Sequence, residues 1–237
     1  MPKSALLRLL RFLPLAALGL ALAAPQAQAA APSAEPSPDR PFLWRIDGGA
    51  APSYLFGTIH AGVQASELHP IVDSALHQSR LFVMETAPQG ALMASAPPSA
   101  VLPMDLVLAR HAREIGKPVA TLETVEFQMS LLTEIAGTGA REEFSAMLAD
   151  DPQAMASLVS AYRSGSIEQI AEVSQLQDAR IQELLLDRRN QQWARDLEPL
   201  LRRGGVFAAV GVGHVPGPQG LVELFTQRGY QLRQYAS

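Results

Sequence analysis

The chain has 237 residues, no cysteine, 48% hydrophobic and 18% charged residues, and a formal charge of −4. Such a length and apolar content suit one domain with a sizeable core and exclude a disordered chain. The lack of cysteine excludes a disulfide scaffold, thiolate metal centres, Fe–S clusters, a cysteine nucleophile and a lipoprotein anchor. The mild acidity argues against a nucleic-acid partner, which would require a basic face.

In chain order, residues 1–29 carry Lys3, Arg8 and Arg11, then an apolar run from Phe12 to Ala24, then Ala27-Gln28-Ala29. This is the charge, apolar and small-x-small pattern of a Sec-type signal peptide. The apolar run falls short of the roughly 20 residues that cross a bilayer; an uncleaved anchor is the alternative. No later stretch is long enough to span a membrane. The expectation is a periplasmic or secreted protein of a Gram-negative bacterium, with no transmembrane span after cleavage. Removing the leader takes away three bases and no acid, so the mature chain is more acidic than −4 suggests. Residues 30–41, rich in Pro, Ser and Ala, read as a disordered linker, and residues 42–237 as the domain.

Phe42–Ile46, the Asp47-Gly48-Gly49 turn and Ser53–Phe56 read as strand, turn, strand. Pro70–Ser79 reads as a helix with Pro at its first position, Leu81–Met84 as a buried strand, and residues 87–100 as a Pro/Ala/Ser-rich loop. A helix over Pro103–Ile115 ends at Gly116, and Pro118–Leu122 is another strand. From Thr124 to Arg203 the chain reads as almost all helical. Its apolar stripes are Leu131, Leu132 and Ile135; Phe144, Met147 and Leu148; and Ile167, Ile170, Val173 and Leu176, continued by Leu184 and Leu185. Breaks fall at Asp150-Asp151-Pro152 and Gly165. Val206–Val210 is a buried strand, Leu221–Arg228 a helix and Tyr230–Tyr235 a last strand. The fold class is α/β: a mixed, largely parallel sheet from strands at both ends of the chain, with a large helical block inserted between them.

Two strands end in the same unit, Gly57-Thr58-Ile59-His60 and Gly211-Val212-Gly213-His214. Gly57, Gly211 and Gly213 allow sharp turns and close approach of backbone to a ligand or cofactor. A third strand ends in Glu85 and a fourth in Glu123. If the four strands are parallel neighbours, two imidazoles and two carboxylates meet at the crevice where open α/β sheets bind ligands. That set suits a divalent metal such as Zn, Mn, Fe or Co. A carboxylate outside the ligand set, such as Glu123, would serve as a general base on water. The structural alternatives are a turn role for Glu85 and a cap by Glu123 on the helix beginning near Thr124. His69, His77 and His111 read as surface or packing residues. Arg189, Asn190 and Trp193 lie within a polar run that reads, taken alone, as a solvated face with Trp193 in the core. The functional alternative has Arg189 neutralising a carboxylate or oxyanion and Asn190 orienting it. No Gly-x-Ser-x-Gly elbow is present.

Leu43-Trp44-Arg45, Tyr54 to His60, Val83-Met84-Glu85, Leu122-Glu123-Thr124 with Gln128, Arg189-Asn190 with Trp193, and Val210 to Pro218 together resemble the TraB/GumN family, whose animal relatives are the Tiki metalloproteases. The resemblance covers nearly the whole mature chain. It implies an α/β core whose metal-site residues are His60, Glu85 and His214, with Arg189 and Asn190 supporting substrate or transition state. Tiki-like members are Mn- or Co-favouring proteases. The implied activity is a metal-dependent hydrolysis of a peptide or small-molecule substrate. The chain is compact between Glu85 and Pro118, which counts against large substrates. The rival reading is a non-catalytic metal, haem or small-ligand binding protein on the same fold, as in the haem-binding ChaN type.

Overall fold

A computed structural model of the chain describes residues 40–59, 62–86, 103–137, 152–174 and 178–235. The leader, nearly all of the linker, the loop at 87–100, the Phe144–Leu148 stripe, Leu176 and His60 lie outside these residues.

Six strands form one sheet: β1 (Leu43–Asp47), β2 (Ser53–Thr58), β3 (Leu81–Met84), β4 (Val119–Thr121), β5 (Val206–Gly211) and β6 (Gln231–Gln234). Their order is β4-β3-β5-β2-β1-β6. β4, β3, β5 and β2 are parallel neighbours, whereas β1 runs antiparallel to both β2 and β6. The mixed, mostly parallel α/β architecture expected from the strand pattern is the one observed. β2 and β5 are buried at every position, as parallel strands covered on both faces must be. Edge strand β6 alternates exposed and half-buried residues and carries Arg233, a charge that discourages edge pairing with another chain.

Register explains the central core. Tyr54, Phe207 and Phe82 are partners across β2, β5 and β3, so their rings form a ladder on one face, with centroids 6.5 and 5.8 Å apart. Cross-strand aromatic pairs of this kind add to the area they bury. The turn joining β1 to β2 passes over the end of a helix, and Gly204 there has φ +69°. A Cβ on Gly204 would lie 2.2 Å from the Ala51 carbonyl oxygen, so only glycine fits.

The helices are α1 (Pro70–Gln78), α2 (Met104–Glu114), α3 (Val125–Gly137), α4 (Pro152–Ser164), α5 (Ile167–Ser174), α6 (Ala179–Gln182), α7 (Arg188–Arg203) and α8 (Leu221–Gln227). The His69 ring caps α1 by accepting from the Ile71 N–H at 3.1 Å, ahead of Pro70 at the first helical position. Leu131, Ile135, Ile170, Leu184 and Leu185 are buried as their periodicity requires.

A π turn, Glu183–Asp187, joins α6 to α7 without a break. Insertion of one residue into a helical ladder shifts the phase of everything after it, and such turns concentrate at functional sites. Here the shift falls two residues before Arg189.

Candidate functional site

The register places Thr58 beside Gly211, and Met84 beside both Ala209 and Thr121. The carboxyl ends of β2, β5, β3 and β4 therefore share one edge of the sheet. Glu85 follows β3 directly and Glu123 lies two residues past β4. The chain after β4 is drawn against Glu85, whose carbonyl accepts from the Glu123 N–H at 2.8 Å.

Arg189 is the hub of this edge. Its side chain is 2% exposed, which overturns the reading of its segment as a solvated face. All five of its N–H groups are engaged. Nε and Nη2 donate to the two Glu123 oxygens at 2.9 and 2.8 Å. Nη2 also donates to Glu85 Oε2 at 3.1 Å. Nη1 donates to the Leu185 carbonyl at 2.9 Å and to His214 Nε2 at 3.3 Å. Burial works against the guanidinium charge, but Glu85 and Glu123 outweigh it and hold the Arg189 pKa above its ordinary value. Arg189 is charged at every accessible pH.

Glu123 does not cap α3; the Thr124 hydroxyl does, accepting from the Phe127 N–H at 3.1 Å. The Glu123 carboxylate instead receives the Arg189 fork, the Trp193 indole N–H at 2.9 Å and the Gln128 amide at 3.3 Å. Trp193, read from sequence as core, is thus also a donor to the site. Its ring lies 4.6 Å from the Arg189 guanidinium carbon and 4.3 Å from the His214 ring, so one indole packs against a cation and an imidazole.

Glu85 Oε1 accepts from the Gly211 N–H at 2.6 Å, so the second Gly-x-x-His unit binds a carboxylate through its backbone. His214 is fully buried in the turn that follows β5. Its Nδ1 lies 2.6 Å from Asn190 Oδ1, and the Asn190 amide nitrogen donates to the Gln219 carbonyl at 2.8 Å. That fixes Asn190 Oδ1 as an acceptor, puts the imidazole proton on Nδ1 and leaves a lone pair on Nε2. Asn190 is 2% exposed.

The remaining candidates divide. Gly57 approaches Val212, not open space: a Cβ would stand 3.0 Å from Val212 Cγ2. Its carbonyl accepts from the buried Tyr162 hydroxyl at 2.8 Å, a phenol that burial pushes well above its usual pKa. Gly213 lines a cleft of about 600 Å³ together with Asn190, Asp187, Pro216 and Gln219. Glu123 and Arg189 border a second cleft of about 450 Å³ with Phe127, Leu131 and Gln192. Asn190 thus borders the first cleft, and Arg189 and Glu123 the second. His60 lies outside the described residues.

The donor set is compatible with a metal ion. His214 Nε2 and Glu85 Oε1 are 3.8 Å apart, within the roughly 4.2 Å that two ligand bonds near 2.1 Å can span. The His214 Nδ1–Asn190 bond is the outer-sphere contact that fixes a ligating imidazole. Two buried hydroxyls at the same edge, Thr58 Oγ1 and Thr86 Oγ1, have no hydrogen-bond partner among the described residues. The charges of Glu85, Glu123 and Arg189 sum to one negative, which favours a cation.

Among proteins of known family, the model described as the TraB/PrgY/gumN family matches residues 42–103 and 89–234, a span that takes in every residue of the hub. Comparison with curated proteins and with solved structures gave no match.

Proposed function

The chain belongs to the TraB/PrgY/gumN family, and from that premise and the hub's geometry we propose that it is an exported, metal-dependent hydrolase acting on peptide bonds. The observation that carries this reading is the pairing of a buried imidazole lone pair with a buried carboxylate at the carboxyl edge of four parallel strands. Glu85 and His214 would hold a divalent ion, of the Mn, Co or Zn class, with His60 as the third ligand. When bound, such an ion supplies Lewis acidity to an oxygen atom in the crevice.

The chain's own residues supply the rest. Asn190 holds the imidazole in the tautomer that presents Nε2. Arg189, with every N–H engaged, is a positioning residue that aligns Glu85 and His214 and offsets the Glu85 charge. Stabilising a substrate oxyanion would require a free N–H, and a metal on His214 Nε2 would release one by displacing the Arg189 Nη1–H that this nitrogen now accepts. Glu123, paired with Arg189 and Trp193, holds the guanidinium in place. The Thr58 and Thr86 hydroxyls, without a partner among the described residues, would be available to a polar ligand. No described helix is long and apolar enough to cross a membrane.

The full occupancy of Arg189 also favours the second reading, a non-catalytic carrier of a metal, haem or small ligand, since a carrier has no developing charge to stabilise. Peptide-library hydrolysis with added Mn²⁺ separates the two. Turnover by the wild type, lost in Glu85→Gln and in His214→Ala, supports the hydrolase. Stoichiometric ligand uptake with no turnover under any metal rejects it in favour of the carrier.

A further inference from the structure

Away from the hub, α1 and α2 bring together Asp73, His77 and His111, the three residues among those described whose ligand atoms all lie within 4.8 Å of one another. Asp73 and His77 are four residues apart on α1, hence on one face; His111 comes from α2. One carboxylate serves two imidazoles: Asp73 Oδ1 lies 2.9 Å from His111 Nε2, and Oδ2 lies 3.3 Å from His77 Nδ1. The two rings approach to 5.5 Å between centroids. Two imidazoles and a carboxylate converging on one point are the donor types a divalent transition metal selects.

The frame is rigid. Val72, Ala75 and Leu76 seat α1 in the core, and Leu108, Ala109 and Ala112 seat α2, so the ligand-bearing faces are held toward each other by packing. His77 Nδ1 also lies 3.0 Å from the Asp73 carbonyl, a contact it would give up on binding a metal through that nitrogen. On His111 the ring nitrogen turned away from Asp73, Nδ1, faces Glu114 Oε2 at 3.8 Å. The nearest ammonium, Lys117 Nζ, is tied to the carbonyls of His77 and Ser79.

We propose that Asp73, His77 and His111 form a surface site for a divalent transition metal of the Zn²⁺ type, fastening α1 to α2 and leaving further coordination positions open to solvent. Three protein ligands with an open position suit Zn²⁺ in a tetrahedral arrangement. This site is separate from the hub and does not depend on it.

The test is Zn²⁺ titration of the chelator-stripped full chain by calorimetry, in the wild type, the double variant His77→Ala/His111→Ala, and His214→Ala. The double variant loses one binding event or weakens it more than 100-fold, beyond the roughly 10–100-fold typical of outer-sphere losses. His214→Ala keeps that event. At about 100 times Kd, Zn²⁺ raises the Tm of wild type and of His214→Ala by about 5–10 °C through this site, whereas the double variant, folded by circular dichroism, loses that rise. Equal Zn²⁺ stoichiometry and affinity in wild type and double variant would overturn the proposal.

Discussion

Arg189 commits a planar, five-donor fork to two carboxylates, an imidazole and a carbonyl, all out of water. Removing one partner from a buried ion network leaves the others uncompensated, at about 3–5 kcal/mol. Arg189→Ala is expected to lose that much stability in urea unfolding; a loss below about 1 kcal/mol would show that Glu85 and Glu123 reach water without it. Arg189→Lys should recover little, because an ammonium cannot serve both carboxylates, the Leu185 carbonyl and His214 together. Asn190 works on a smaller scale, holding one imidazole in one tautomer. Asn190→Ala is expected to weaken metal binding at the hub by about 10–100-fold, with His214 still present. Unchanged affinity in an equilibrium titration would remove Asn190 from that role. The burial of this pair was hidden by composition: Asp187 to Gln192 is a polar run. The signal lay in its phase, since Arg189, Trp193 and Leu197 continue one buried helical stripe, and Asn190, Ala194 and Leu201 continue its neighbour, while Arg188, Gln191 and Gln192 face solvent.

At the level of elements, the strand ends were legible because apolar runs meet glycine and charge there, as at Met84-Glu85 and Val210-Gly211. Strand order was not, since no local pattern tells β5 to insert between β3 and β2; only burial of every residue on β5 marks it as central. The π turn was likewise illegible, because Glu183–Asp187 is as good an α-helix by composition as its neighbours. Gly57 was read as a ligand-approach glycine, whereas the close contact the structure shows is with Val212 of the second Gly-x-x-His unit. Gly57→Ala should cost about 1–3 kcal/mol through overpacking and displace the turn bearing His214. Wild-type stability and metal affinity in that variant would contradict this packing role. At the sheet edge, Asp47 lies between Arg233 and Arg45, and the hydrogen bond from Arg233, then that from Arg45, holds its carboxylate below the usual range. A depressed folded pKa contributes stability above the unfolded value near 3.8, lost as pH falls through the folded value. Asp47→Asn is therefore expected to cost about 0.2–1 kcal/mol at pH 7, and progressively less as pH falls below the unfolded value. A pH-independent difference in unfolding free energy would count against the ion pairs as its cause.

For the whole molecule, the fold holds four parallel strand ends in register so that residues far apart in sequence meet in one buried cluster. Glu85, Glu123 and His214 come from three different strand ends, and Arg189 and Asn190 reach them from a helix rephased by the π turn. In the proposed function this cluster takes a divalent ion between His214 and Glu85. Crystals grown with Zn²⁺ and measured across the zinc absorption edge test it most directly, because the anomalous map separates the hub from the surface site on α1 and α2 by position. An anomalous peak is expected about 2.0–2.2 Å from both His214 Nε2 and Glu85 Oε1, with Asn190 still holding Nδ1. A map without a peak at the hub, and with His214 Nε2 still accepting from Arg189, would contradict it.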